Sequence, residues 1–101
     1  MNLPDSLLTE IRNLARGYNV ERVVLFGSRA RGDAHPRSDI DLAVFTGSSF
    51  AQTGSLAADV EELSTLLEID LVFVDDAIGP RMMERIVREG VVIYERSGGK
   101  V

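Results

Sequence analysis

An apolar segment that runs into a glycine constrains the fold of this chain more than any other feature. Val23–Phe26 is uniformly apolar, Gly27 and Ser28 follow it directly, and after ten further residues a second apolar segment begins at Asp39-Ile-Asp41. This pattern predicts a strand, a glycine turn, a loop and a second strand. Because side chains alternate between the two faces of a strand, Asp39 and Asp41 should project from the same side.

Two neighbouring carboxylates of this kind predict a cation site. Like charges a few ångströms apart repel and raise each other's pKa, so a positive group should lie beside them. Mg²⁺ fits best, since it is typically held by one or two carboxylates together with the phosphates of a substrate. The turn at Gly27 and Ser28 offers what phosphates bind, because glycine lets backbone N–H groups come close and serine adds a hydroxyl. Metal ligands and phosphate-binding groups are therefore expected at one edge of the sheet.

Helical and strand patterns alternate along the rest of the chain. Apolar residues at helical spacing predict helices at Asp5–Arg16, Ser55–Leu67 and Pro80–Glu89. Short apolar segments predict strands at Val20–Phe26, Asp39–Phe45, Ile69–Val74 and Val91–Tyr94. The polar segment Thr46–Gly54 is interpreted as a loop and residues 97–101 as a flexible tail. We expect a single domain over residues 1–96 with an α+β fold, in which helices pack mainly on one face of a small mixed sheet of about four strands.

A third carboxylate, Asp70, interrupts the apolar segment Ile69–Val74. Such segments are normally buried, and a buried carboxylate must be paired or must coordinate a metal. The alternative is that Asp70 lies in solvent where the strand begins. The pair formed by Asp39 and Asp41 favours the metal-site interpretation.

Three arginines, Arg29, Arg31 and Arg37, lie in the loop between the two strands. Guanidinium groups match phosphate geometry bidentately, so the two that adjoin the turn, Arg29 and Arg31, are interpreted as triphosphate ligands. The alternative is an ordinary solvated loop, and for Arg37 both interpretations stay open.

Composition narrows the possible functions. The net charge is −5, with 16 acidic and 11 basic residues, so the overall field disfavours binding to duplex nucleic acid. There is no cysteine, which excludes disulfides and thiolate zinc sites. No apolar run approaches the roughly 20 residues of a membrane span, and no secretory pattern is present, so we expect a cytoplasmic protein.

The sequence resembles a known family in the residues discussed above. Gly27-Ser28, ten intervening residues and Asp39-Ile-Asp41 are similar to the GS-x10-D-x-D signature of the nucleotidyltransferase superfamily related to DNA polymerase β. The segments G-S-R-A-R-G-D-A and R-E-G-V-V-I-Y-E resemble its minimal branch, the MNT domain, often the antitoxin partner of HEPN-domain toxins. The resemblance covers the chain from about Leu7 to Glu95.

The resemblance implies Mg²⁺-dependent nucleotidyl transfer from ATP. Asp39 and Asp41 would hold Mg²⁺, and Asp70 would complete a catalytic site that can support two metal ions and would assist deprotonation of the attacking hydroxyl. The nucleotide-binding residues would be Gly27 and Ser28, together with Arg29 or Arg31. An acceptor hydroxyl would attack the α-phosphorus, and pyrophosphate would leave.

The acceptor is expected on a partner protein, because larger relatives use an additional domain as the acceptor pocket and this sequence shows none. The resemblance implies a HEPN-type toxin that receives AMP on a tyrosine. One alternative is an antitoxin that masks its partner without chemistry, although three adjacent carboxylates would then have no purpose. Another is a small-molecule nucleotidyltransferase whose pocket forms across a homodimer.

Overall fold

A mixed β-sheet with helices on both faces forms the centre of the protein. The structure, a computed structural model, describes residues 2–46, 52–63, 65–75 and 77–96. The elements follow the order α1 (Asp5–Tyr18), β1 (Arg22–Phe26), α2 (Ser28–Arg31), β2 (Ile40–Phe45), α3 (Thr53–Glu61), β3 (Ile69–Val74), α4 (Pro80–Glu89) and β4 (Val91–Glu95). The sheet has the strand order β3-β2-β1-β4. β1 is antiparallel to β2 and β4, whereas β2 and β3 are parallel.

The larger part of the core lies between one face of the sheet and the helices α1 and α3. Each helix turns an apolar stripe towards the sheet, because its apolar residues recur every three or four positions. The buried side chains of this cluster are Leu3, Leu7, Ile11, Ala15, Val20, Val23, Leu25, Ile40, Leu42, Val44, Leu56, Val60 and Ile93. Burial of each leucine or isoleucine side chain contributes roughly 1.5–3 kcal/mol, so this layer supplies most of the hydrophobic stabilisation.

The opposite face is covered in part by α4. Ile86 of this helix packs against Val24, Phe26 and Ala43. Since side chains alternate along β2, Asp41 projects from the same face as Ala43. The carboxylates predicted to bind metal therefore lie on the α4 side of the sheet.

The fold confirms the prediction of an α+β domain with a four-stranded mixed sheet and most helices on one face. The part of the chain that the structure describes contains no helix long and apolar enough to cross a membrane. The predicted tail, residues 97–101, lies outside the described residues.

Two helix boundaries differ from the prediction. α1 continues through Gly17 to Tyr18, and the C-cap residue Asn19 adopts the left-handed conformation with φ 59°. An asparagine tolerates this conformation well, and a glycine inside a helix costs only about 1 kcal/mol. α3 begins within the segment predicted as a loop, most of which lies outside the described residues, and it ends at Glu61 instead of Leu67. Leu67 still packs against the core, but from the segment that follows the helix.

Candidate active site

The turn at Gly27 connects β1 to the single-turn helix α2 and lies beside Asp41. Gly27 is buried and has φ 79° and ψ −160°, a backbone conformation that essentially only glycine adopts. A Cβ atom at this position would collide with Oδ2 of Asp41. The glycine is thus required twice, by the backbone conformation and by the neighbouring carboxylate.

The register of the sheet brings the carboxylates to this turn. Asp41 pairs with Phe26, the residue before Gly27, across the antiparallel ladder. On its other side Asp41 pairs with Asp70 across the parallel ladder, so both side chains lie on the same face of strands about 4.8 Å apart. Asp39 precedes β2 on the same side and is exposed.

The pKa of Asp41 is raised by its position at this site. Its partial burial raises the pKa of the carboxyl group above 3.8, and the charge of Asp70 raises it further. Asp39 and Glu89 act in the same direction, whereas the guanidinium of Arg85 opposes them. The site therefore has an excess of negative charge that a bound cation would relieve.

These carboxylates suit a cation whose remaining ligands come from the substrate. Across residues 2–46, 52–63, 65–75 and 77–96, no three acidic, histidine or cysteine side chains form a metal-binding group on their own. The predicted set of Asp39, Asp41 and Asp70 is thus adjacent on one face but is not a closed cage. Mg²⁺ commonly takes one or two carboxylates and further oxygens from a substrate, so an incomplete carboxylate set of this kind suits it.

Arg29 has a different role from the predicted one. Its side chain is buried, and its guanidinium donates four hydrogen bonds to backbone carbonyls. The acceptors are Asn2 at 2.9 Å, Ser38 at 3.0 Å, Pro36 at 3.1 Å and His35 at 3.4 Å. An arginine has five N–H donors, so this one is almost fully used within the chain and positions the loop before Asp39 instead of reaching a phosphate.

Arg31 remains close to the turn. Nη1 of Arg31 lies 3.1 Å from Oε2 of Glu89, and its Nε lies 3.2 Å from Asp33. About two fifths of its side chain is exposed, which leaves it accessible to a ligand. Ser28, the first residue of α2, is half-buried beside Gly27.

Two residues of α4 also lie at the site, although no functional role was predicted for this helix. Glu89 accepts a hydrogen bond of 3.1 Å from the Gly27 N–H. Arg85 lies 3.5 Å from Oε1 of Glu89, and its guanidinium stands 5.2 Å from the centre of the Phe26 ring. The i, i+4 spacing of the pair is visible in the sequence, but no sequence signal indicates that α4 packs on the carboxylate side of the sheet.

An open depression adjoins Asp39. It has a volume of about 520 Å³ and is lined by Arg37, Asp39, Leu66, Leu67 and Glu68. Arg37 is exposed and lines this depression next to Asp39. It therefore has no buried structural role like that of Arg29.

The chain belongs to the nucleotidyltransferase family described as "Polymerase beta, Nucleotidyltransferase", because the model of that family matches residues 9–98. No curated protein matches the sequence. The family supports transferase activity for the fold and site described above.

Solved structures of related proteins share the fold. A protein described as a minimal nucleotidyltransferase is 28% identical, with a TM-score of 0.69 over 85% of this chain and 88% of that one. A toxin–antitoxin complex with AMP-PNP gives 22% identity and a TM-score of 0.66 over 91% and 76% of the two chains. A third structure is a complex from Shewanella oneidensis of an MNT antitoxin with a tri-AMPylated HEPN toxin. It gives 19% sequence identity and a TM-score of 0.60 over 93% of this chain and 74% of that one.

The glycine turn provides a matched test of the site geometry. Gly27→Ala should destabilise the protein by about 3 kcal/mol, because it adds a collision with Asp41 to the strain of a positive φ. Gly32→Ala is the control, since Gly32 also has a positive φ, 89°, but open space around it, and should cost only about 1 kcal/mol. Urea unfolding measures both. Equal losses would show that the contact between Gly27 and Asp41 does not constrain the turn.

The charge of Asp41 should lower the stability of the metal-free protein. Because folding raises the pKa of Asp41, this cost is absent while the carboxyl is protonated and develops as the pH rises from 3.8 through the folded pKa. Asp41→Asn should therefore raise the melting temperature at pH 7 in a chelator, by about 2–4 °C given solvent screening, and the gain should vanish near pH 3.8. Glu61→Gln, which removes an exposed charge, is the control. An equal gain in both variants at pH 7 would contradict this account.

Proposed function

We propose that this protein is an Mg²⁺-dependent nucleotidyltransferase that transfers AMP from ATP to a tyrosine hydroxyl of a HEPN-type toxin and thereby acts as its antitoxin. The observation that carries the proposal is the register that joins the Gly27 turn to Asp41 and Asp70 on one face of the sheet. A phosphate-binding turn beside paired carboxylates is the arrangement that phosphoryl chemistry needs, since its catalysis is mostly positioning and charge stabilisation.

Each group at the site has a role in this reaction. The backbone and hydroxyl at Gly27 and Ser28 would bind the β- and γ-phosphates, and the exposed guanidinium of Arg31 would contribute charge. Asp39 and Asp41, with Asp70 beside them, would hold Mg²⁺. When bound, this ion would neutralise charge on the triphosphate and on the departing pyrophosphate.

The transfer step breaks one bond and forms another at the α-phosphorus. The hydroxyl oxygen of the acceptor bonds to that phosphorus, the bond to the β-phosphate oxygen breaks, and pyrophosphate leaves. The hydroxyl proton passes to a carboxylate of the site. Asp70 is our candidate for this base, because it lies beside Asp41 on β3, which is an edge strand of the sheet.

Several features support a protein as the acceptor. The depression that Asp39 lines is open to solvent, so a side chain presented from outside could reach this end of the site. The net charge of −5 disfavours a nucleic-acid acceptor. Two of the solved structures that share this fold are toxin–antitoxin complexes, and in one of them the HEPN toxin carries AMP groups.

The test uses a HEPN-type protein encoded next to this chain as the acceptor. After incubation with ATP, Mg²⁺ and this protein, intact-mass spectrometry should show the acceptor heavier by one or more AMP units. The double variant Asp39→Asn/Asp41→Asn should still bind the acceptor but give no adduct, a loss of at least about 1000-fold in rate, because the charge stabilisation at the site is lost. Glu61→Gln/Glu62→Gln removes two exposed carboxylates from the α3 region and should transfer normally.

The opposite outcome distinguishes masking from catalysis. If the double variant blocks the partner's activity as completely as the natural protein at equal concentration, and no adduct forms with any nucleotide, then the protein acts by binding alone.

A further inference from the structure

The carboxylate of Glu89 is surrounded by groups that would otherwise bind a phosphate. Oε1 accepts the hydrogen bond from the Gly27 N–H at 3.1 Å and lies 3.5 Å from Nε of Arg85. Oε2 lies 3.1 Å from Nη1 of Arg31 and, more distantly, 4.0 Å from Nη2 of Arg88, which is exposed and also pairs with Glu84. The Glu89 side chain is only 12% exposed, so these contacts are partly shielded from water. One backbone N–H at a glycine turn and two guanidiniums are the donor set that proteins use for phosphate oxygens.

A carboxylate at this position is electrostatically unfavourable in two respects. Glu89 is the last residue of α4, where the partial negative charge of the helix dipole disfavours an anion. It also adds to the negative charge around Asp41. The contacts with Arg31, Arg85 and the Gly27 N–H offset this unfavourable electrostatic energy. An anion that took these donors would remove that compensation from Glu89.

We propose that Glu89 is an internal competitor of the triphosphate, because it occupies the donors that would bind the phosphates of ATP. The inference rests on the proposed function and extends it by naming Arg31 and Arg85 as the guanidiniums that bind phosphate after Glu89 is displaced. Displacement requires a ligand with enough charge to replace a carboxylate on both guanidiniums. The competition therefore selects polyphosphates such as ATP and pyrophosphate.

The opposite role for Glu89 makes the proposal testable. If Glu89 only orients the two arginines for the ligand, then loss of its charge weakens phosphate binding. If it competes with the ligand, then loss of its charge strengthens binding. The sign of the change separates the two roles.

Calorimetric titration of the full chain with ATP and with pyrophosphate, each with Mg²⁺, measures this sign. Glu89→Gln keeps the size of the side chain and an acceptor for the Gly27 N–H but removes the charge, so both ligands should bind about tenfold more tightly. Glu84→Gln is the matched control on the same helix, since Glu84 is exposed and pairs only with Arg88 at 3.1 Å among the described residues. It should change the dissociation constant by less than about twofold.

A second variant keeps the test valid if Glu89→Gln does not fold. Glu89→Asp retains the charge but withdraws the carboxylate from the Gly27 N–H, and it should also bind both ligands more tightly. Equal or weaker binding by the folded Glu89 variants, beside normal binding by the unmodified chain, would overturn this inference alone. Absence of ATP and pyrophosphate binding in the unmodified chain and in every variant would overturn the proposed function as well.

Discussion

The antiparallel pairing of Phe26 with Asp41 is the contact on which the site depends. It fixes the end of β1 beside the beginning of β2, so the turn that follows Phe26 lies against the Asp41 carboxylate. Glycine is required at position 27 by its φ of 79° and ψ of −160°, and a Cβ atom there would also displace the Asp41 carboxylate. The parallel pairing of Asp41 with Asp70 then adds the third strand to the same edge. The Gly27 turn and the carboxylates are therefore positioned by backbone hydrogen bonds of the sheet and not by flexible side chains.

Charge is distributed unevenly around this edge. The strands contribute carboxylates, while α4 contributes Arg85 together with Glu89, and α2 contributes Arg31. Burial raises the pKa of Asp41, the charge of Asp70 raises it further, and the guanidinium of Arg85 opposes these effects only in part. A cation and a polyphosphate that bind together would satisfy both sets at once, because each ligand supplies the charge that the other part of the site lacks.

The sequence predicted the parts of the site that lie on regular strands. The apolar segments around Asp41 and Asp70 place these two carboxylates on known faces, whereas Asp39 lies just before β2. The four-stranded mixed sheet confirms the fold that these segments imply. The arginines could not be assigned in this way, because a loop has no period that gives the direction of a side chain. Arg29 points inward to four carbonyls, although it adjoins the turn as closely as Arg31 does.

The contribution of α4 was missed for a related reason. Helical periodicity shows which residues share a face, but not which side of the sheet the helix covers, so Arg85 and Glu89 could not be connected with Gly27. The register bulge between β1 and β4, at Val23 and Val24, likewise has no signal in the sequence. Long-range packing decides these features.

A crystal structure of this protein with Mn²⁺ and a non-hydrolysable ATP analogue tests the central claim most directly. The account predicts anomalous density for the ion in contact with Asp41 and with a phosphate oxygen, and a phosphate within hydrogen-bonding distance of the Gly27 N–H. A nucleotide bound elsewhere on the chain, or an ion that does not contact Asp41, would contradict it.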